Sequence, residues 1–431
     1  MMMAITVLLL LLLAGSSVFV AAVLGVLGGT LAQVFSTFPL IRGLGEMAWS
    51  SSADFVLVAV PMFILMGELL LRSGVTDSMY TALDRWVGHI PGGLMHTNIA
   101  ASAVFAATSG SSIATAATIS TISIPNMERY GYKAPMFLGT IAAGGTLGIL
   151  IPPSINMVLY GALSETSVSD LYLAAMIPGV LLALVFSLYV YVACRIDPGL
   201  GPRGERARWG ERLRALKHLL PPLFLFLLVV GSIYAGLATA TEASALGVVG
   251  ALLLVILRGR LSVQMLLRCF EGTVRTTAMV MAIVIAAYFL NFVLSTLGLT
   301  DAAVKWVGQL QWSPHAVLFA IIVLYVILGC FVESLTLMVA TTPIVVPIIQ
   351  HLGFSPIWFG VVFVILIETA LITPPIGMNL FVVQSVRKSG AFRDVVTGSL
   401  PFVGLMFLMI MLLLAFPSLA LWLPSLLATR A

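Results

Sequence analysis

An all-α polytopic membrane fold, built as an inverted repeat with two re-entrant helical hairpins and two broken transmembrane helices, is predicted by three observations. The first is composition. Of 431 residues 60% are hydrophobic and only 9% are charged, and the mean hydropathy is +1.12, values no soluble globular domain of this length approaches. The second is a pair of interrupted apolar stretches, Gly144–Gly161 (GGTLGILIPPSINMVLYG) and Glu368–Leu380 (ETALITPPIGMNL), which carry Pro152–Pro153 and Pro374–Pro375. Two adjacent prolines remove two backbone donors and clash with the preceding turn, so a helix must stop there, open, and start again. In lipid, unpaired backbone is tolerated only where it faces protein or a watery cavity. The third is spacing, because the two breaks lie 222 positions apart and other motifs repeat at 220 to 222.

The elements follow from span lengths of about 20 apolar residues. The opening MMMAITVLLLLLLAGSSVFV lacks the basic start of a signal peptide and stays apolar to about Leu40, so it reads as a retained first span. Spans are placed near 4–31, 54–72, 134–164 (broken), 170–194, 219–237, 242–258, 273–297, 355–388 (broken) and 394–428, which makes nine crossings. The stretches 95–127 and 314–350 carry polar residues at their centres and fit re-entrant hairpins. Orientation follows from Lys and Arg. The polar loop from Arg195 to Lys217 holds seven basic residues and is placed in the cytoplasm; of the 21 Lys and Arg only Arg42, Lys305 and Arg430 then fall outside. The amino terminus is inside and the carboxyl terminus outside. The repeat extends beyond the prolines: LDRWVGHI (Leu83–Ile90) pairs with AVKWVGQL (Ala303–Leu310), and IPNMERYGYKAP (Ile124–Pro135) with VPIIQHLGFSP (Val346–Pro356). Five crossings separate equivalent points, an odd number, so the copies run in opposite directions, an architecture of transporters. The units are residues 1–53 (first span and connector), 54–194 (first repeat), 195–272 (cytoplasmic loop and central scaffold) and 273–431 (second repeat).

Candidate site residues gather at the hairpin tips and breaks. In ATSGSSIAT (Ala107–Thr115), Thr108, Ser109, Ser111, Ser112 and Thr115 surround Gly110. Small residues of this kind either let membrane helices approach closely or, at mid-membrane depth, offer hydroxyl and carbonyl oxygens that suit a weakly bound sodium ion rather than a carboxylate-rich calcium cage. The second tip, CFVESLT (Cys330–Thr336), places Glu333 opposite Ser111 and Ser334 opposite Ser112. An ionisable residue at that depth is costly and functional by default, and Glu368, aligned with Thr146, is the other one. Each carboxylate coordinates a cation, carries a proton, or is held by backbone donors. Glu68 and Glu242 lie at span boundaries and read as cap or interface residues. The opposed half-helix ends at each break attract a carboxylate at the amino end and a cation at the carboxyl end, with Ser154, Asn156, Thr373 and Asn379 flanking them.

At these residues the chain resembles the large membrane subunit of TRAP transporters, the tripartite ATP-independent periplasmic systems. The matching stretches are PMFILMGELLLRSG (Pro61–Gly74), AATSGSSIATAATI (Ala106–Ile119), GGTLGILIPPSI (Gly144–Ile155), Thr241–Ala243 and TPPIGMN (Thr373–Asn379), spread over nearly the whole length. The resemblance implies an elevator-type, sodium-driven secondary symporter of the bacterial inner membrane. It would take a small organic acid, such as a dicarboxylate, from a soluble periplasmic (P-type) binding protein and work with a small four-helix (Q-type) membrane subunit. By analogy one sodium site uses Ser109, Gly110 and Ser112 with Gly145 and Thr146, and another uses Glu333 and Thr336 with Glu368, Thr369 and Thr373. The substrate would meet Ser111, Ser112, Pro153, Ser154, Asn156, Ser334, Pro375 and Asn379. Two positions depart from the family pattern: Glu333–Ser334 stands where many relatives have Asp-Pro, and TATE (Thr239–Glu242) where they have Thr-Pro-Thr-Glu.

Other classes fit poorly. The histidines His89, His96, His218, His315 and His351 include no i, i+4 pair, Ser111 has no evident base at its depth, and no GxxxxGK[ST] appears, so neither an intramembrane enzyme nor an ATP motor is indicated. Cys194, Cys269 and Cys330 have no metal-like spacing. The net charge of +4 comes from scattered loop residues rather than a basic stripe, so lipid and not nucleic acid is the expected surroundings. No cofactor is expected beyond sodium as coupling ion. A channel remains the alternative, distinguishable by flux that does not saturate.

Overall fold

Each proline pair ends a helix where its chemistry requires. In the computed structural model, which describes residues 19–428, Ala134–Leu150 stops before Pro152–Pro153 and Ile155–Ser164 resumes after it, bent by 43°. Pro356–Leu371 stops before Pro374–Pro375 and Met378–Arg387 follows. Ser154 caps the first resumed helix with its Oγ accepting from Met157 N, while Gly377, at φ +48°, turns the chain into the second. Helices are the only regular elements among the described residues. The beginning of the first predicted span lies outside them; its remainder is Val20–Phe35, which packs on the long helix Val263–Thr296.

Punctuation residues recur 222 to 224 positions apart, close to the 222 of the prolines. Gly74 (φ +72°) opens Val75–Val87, and Gly298 (φ +68°) opens Leu299–Gln309. Gly131 and Gly353, both left-handed, end the two hairpins. Only glycine adopts such φ values without a Cβ penalty, so these positions fix where the chain bends. At Gly74 the bend is 71°, which turns Val75–Val87 out of line with Ala59–Arg72. Its Met79, Tyr80 and Leu83 are buried while Asp77, Thr81 and Arg85 face outward, the pattern of a helix lying along a surface.

Both hairpins form. Leu94–Ser109 and Ser112–Arg129 turn at Gly110, and Pro314–Gly329 and Ser334–His351 turn at 330–333. The return helices start alike: Ser111 Oγ accepts from Ala114 N, and the Glu333 carboxylate accepts from Thr336 N, each three residues on. The packing is reciprocal. Ile155–Ser164 of the first repeat lies on Ser334–His351 of the second, and Met378–Arg387 of the second lies on Ser112–Arg129 of the first. Val168–Ile196 packs on Pro356–Leu371, and Phe392–Ala415 packs on Ala134–Leu150. The two copies are therefore interlocked through their broken helices.

Several boundaries differ from expectation. The predicted span 394–428 is two helices, Phe392–Ala415 and Ser418–Ala428, because Pro417 has no N–H to continue the ladder. The span placed at 273–297 starts ten residues earlier, at Val263, where Ser262 Oγ caps it by accepting from Met265 N. Helix in the 54–72 stretch begins only at Ala59, and the 219–237 stretch, helical from Leu220 to Tyr234, contains a π-type turn at Leu227–Gly231. Glu242 is a cap residue as expected, its carboxylate accepting from Thr239 N in a reciprocal capping box.

The loop 197–217 is strapped onto the first repeat. Trp86 Nε1 donates to Arg212 O at 3.1 Å, and the Arg212 guanidinium lies 6.0 Å from the Trp86 ring and 5.5 Å from the Trp209 ring. Arg212 is 5% exposed and its Nη2 donates to His89 Nδ1 at 3.2 Å, with burial and the neighbouring Arg212 and Arg206 holding that imidazole below its ordinary range and therefore neutral. Two cation–π contacts and one hydrogen bond are together worth about 2 kcal/mol. Arg212→Ala is expected to raise the rate of limited proteolysis in 198–208 severalfold, and Arg212→Lys to recover only part, since an ammonium does not stack on both rings. Unchanged cleavage would refute the strap.

Candidate functional site

The first tip is placed by glycines on the helix beneath it. A Cβ at Gly145 would stand 2.9 Å from both Ala116 Cβ and Asn379 Nδ2, and one at Gly148 would stand 2.7 Å from Ser111 O and Thr115 Oγ1. Without side chains there, Ser112–Arg129 rests directly on Ala134–Leu150, with the Ser111 carbonyl against Gly148 and the Ser112 carbonyl against Gly145. Gly110 closes against that break as well, since a Cβ on it would lie 2.9 Å from Pro153 O. Inside the tip Ser109 Oγ and Thr115 Oγ1 are 3.1 Å apart, and Thr115 Oγ1 donates to Ser111 O at 2.8 Å.

The second repeat supplies the charge. Glu368 is fully buried, and Ser112 Oγ donates to its Oε2 at 2.5 Å, joining residues 256 positions apart across the two repeats. Its other oxygen, Oε1, has no hydrogen-bond partner among the described residues, and neither does Asn156 Nδ2 or Asn379 Oδ1, all buried. Leaving a buried polar atom unpaired costs about 1–3 kcal/mol, more for a charge. No basic side chain forms an ion pair with Glu368 among the described residues. An unpaired carboxylate oxygen and amide carbonyl are groups that a cation would satisfy, and an unpaired amide N–H is one that an anionic solute would satisfy.

Asn156, and the Ser112 that donates to Glu368, line a cavity of about 150 Å³ whose walls also include Ser111, Glu333 and Ser334, while Glu368 and Asn379 are not in its wall. Both tips and the first break therefore share one space. Glu333 is committed to its own helix start, accepting from Thr336 N and Thr336 Oγ1 at 3.0 Å each and from Ser334 Oγ at 3.3 Å. Several expected site hydroxyls are likewise engaged with backbone: Thr146 donates to Ala143 O, Thr369 to Ile365 O and Thr373 to Thr369 O. Their roles would fall to carbonyls at the helix ends. Ser154 is buried, with its carbonyl accepting from Tyr172 OH at 3.2 Å. Pro375 is exposed and Thr373 half-buried, so the second break stands apart from the cavity, represented in its wall only by Leu371.

Sequence reasoning missed the opposite wall. Ile64 of Ala59–Arg72 and Thr276, Met279 and Val280 of Val263–Thr296 complete the cavity. Nothing in their local sequence marks them, because an apolar residue or a Thr in a span has the same pattern whether it faces lipid or a cavity. No group of three or more His, Cys, Asp or Glu gathers among the described residues.

Residues 5–419 match the sequence family described as Tripartite ATP-independent periplasmic transporter, DctM component. The chain is 34% identical over 402 residues to the C4-dicarboxylate TRAP transporter large permease protein DctM of Pseudomonas aeruginosa, covering 93% of each. It is 32% identical to the sialic acid TRAP transporter large permease protein SiaM of Vibrio cholerae, over 86% of this chain and 87% of that one. It is 31% identical to the ectoine TRAP transporter large permease protein TeaC of Halomonas elongata, over 92% of this chain and 93% of the relative. The fold is similar to that of the YdaH transporter of Alcanivorax borkumensis, with a TM-score of 0.65 over 98% of each chain at 15% sequence identity.

Proposed function

Since this chain belongs to the DctM-component family of tripartite ATP-independent periplasmic transporters, we propose that it is the permease subunit of a sodium-coupled symporter that imports a small organic acid. It is a transporter component and not an enzyme. Membership implies a soluble substrate-binding protein and a small membrane subunit as partners. In this reading the protein sits in the bacterial inner membrane, with its amino terminus cytoplasmic and its carboxyl terminus periplasmic, and is divided at residues 53, 194 and 272. Residues 54–194 and 273–431 move the solute as an elevator against the scaffold formed by the remainder.

The observation that carries the reading is the Ser112–Glu368 contact at the wall of the shared cavity. A sodium ion bound by Glu368 Oε1 and the tip carbonyls would neutralise the carboxylate. It would also hold the first tip against the second repeat, so that ion occupancy and closure of the solute cavity become one event. The solute's carboxylate would take the amide of Asn156 and the hydroxyls of Ser111 and Ser334, next to the amino end of Ile155–Ser164, where the helix dipole favours an anion.

The test is uptake into proteoliposomes holding the permease, its small subunit and its binding protein, using a four-carbon dicarboxylate, a sialic acid and ectoine in turn. Uptake is expected for at least one of them only with an inward sodium gradient; uptake equally fast in potassium buffer refutes sodium coupling. Ser112→Ala removes the hydroxyl that Glu368 accepts from, a charge-assisted bond worth about 1.5–3 kcal/mol. Apparent sodium affinity is expected to fall roughly tenfold or more with protein abundance unchanged, since 1.4 kcal/mol is a factor of ten. Unaltered sodium dependence would return the serine cluster to a packing role.

A further inference from the structure

We propose that Arg72 is a relay point for the solute's carboxylate on its way from the cavity to the basic face, and that Glu68 occupies Arg72 between passages. The inference rests on the transport reading above. The solute cavity of about 150 Å³ abuts a second of about 130 Å³, and Ile64, Ser111, Ile155 and Thr276 line both. The second reaches Gly67, Glu68 and Leu71. Ile64, Gly67, Glu68 and Leu71 fall on one face of Ala59–Arg72 by helical spacing, so this face leads from the site to the helix's last turn.

That turn holds the charge pair. Arg72 Nη1 donates to Glu68 Oε2, and the side chains are 30% and 23% exposed. The position of the carboxylate is built by the neighbouring helix: a Cβ at Gly272 would stand 2.9 Å from Glu68 Cδ and Oε1. Any side chain at 272 would push Glu68 out of its slot. The throat between is mixed, with Ile64, Leu71, Phe105 and Ile155 beside Ser109, Ser111 and Thr276 in its walls. An anion leaving the site therefore meets, in the wall of the second cavity, the Glu68 carboxylate, and behind it the Arg72 guanidinium with which Glu68 is paired. Exchange of one carboxylate for another on Arg72 leaves the number of ion pairs unchanged, so the solute is drawn forward without being trapped. Glu68 returning to Arg72 then releases it.

The experiment needs no identified solute. Thr276→Cys, in a chain whose three native cysteines are replaced by alanine, puts a thiol where the two cavities join. In inside-out vesicles its modification rate is measured with anionic and cationic methanethiosulfonates of equal size. Arg72→Gln is expected to lower the anionic-to-cationic rate ratio severalfold and Glu68→Gln to raise it severalfold, since a nearby unit charge acts oppositely on the two reagents. The double variant should return to the parent ratio. Glu68→Gln keeps the shape of the side chain and decides alone if Arg72→Gln does not insert. Absence of modification by either reagent from that side, or a ratio that Glu68→Gln leaves unchanged, overturns the proposal. A shifted ratio with no sodium-dependent uptake would leave the relay standing and refute the symport reading instead.

Discussion

Glu368→Gln is expected to abolish sodium-dependent uptake while the protein inserts and accumulates normally. Glutamine keeps the volume and can still accept from Ser112 Oγ, so the 2.5 Å contact across the repeats survives in some form. What is lost is the negative charge, together with the oxygen that has no hydrogen-bond partner among the described residues. Removing one member of a buried charge pair costs about 3–5 kcal/mol, and at 1.4 kcal/mol per factor of ten sodium affinity should fall roughly 100-fold or more. Glu368→Asp should retain measurable coupling with weaker affinity, because the charge persists but retreats from the tip. Sodium titration of uptake, beside thermal stability of the purified variant, separates the outcomes. A Glu368→Gln permease with normal sodium affinity would mean that the carboxylate is neutral in the working protein and that the ion sits elsewhere.

Much of the fold was legible because its signals are backbone signals. Paired prolines and left-handed glycines act through φ and the missing N–H, and they act the same way in both copies, so Pro152 and Pro374 or Gly131 and Gly353 report each other. Position within the membrane added Glu333 and Glu368, since a carboxylate among apolar residues requires a reason. Pairing between distant elements was not legible. The alignment set Glu368 opposite Thr146, but nothing along the chain says that its carboxylate meets Ser112, because that contact depends on how Pro356–Leu371 and Ser112–Arg129 both pack on Ala134–Leu150. Likewise Ile64 and Thr276 became cavity residues only once Ala59–Arg72 and Val263–Thr296 stood beside the tip.

Helix starts were read to within one or two residues at 170, 242 and 355, where Ser167, Thr239 and Ser355 cap them, but the equally capped start at Val263 was missed. The span placed at 273–297 gained ten residues at its amino end because Arg268, Glu271 and Arg275, which counted against a membrane span, lie on the exposed side of a helix whose other side is buried at Cys269 and Thr273. Hydropathy averages over a helix and cannot see such a division.

The contact between Gly139 and Gly398 sets the largest expected effect on stability. A Cβ at Gly139 would stand 2.0 Å from Gly398 O, and one at Gly398 would stand 1.8 Å from Pro135 O. Ala134–Leu150 and Phe392–Ala415 therefore touch backbone to backbone, the close approach that small residues permit in membranes. Neither atom is the end of a flexible side chain, so Gly398→Ala must separate the helices. Separation would lift Ser399 Oγ from Ile372 O, a 3.2 Å bond that ties Phe392–Ala415 to the second break. On the other helix it would displace Gly145 and Gly148, which seat the first tip. Gly139→Ala and Gly398→Ala are each expected to destabilise by about 4 kcal/mol or more, the range reserved for overpacked cores and broken buried networks, and to reduce the amount of folded permease severalfold. Gly404→Ala, on the same helix with nothing within 4 Å of its added Cβ, should be neutral or stabilise by about 0.5–1 kcal/mol through restricted backbone entropy. Thermal unfolding of the three variants in one detergent decides it: Gly398→Ala as stable as Gly404→Ala would mean that the two helices can part without loss, and that the seat of the first tip is not built from them.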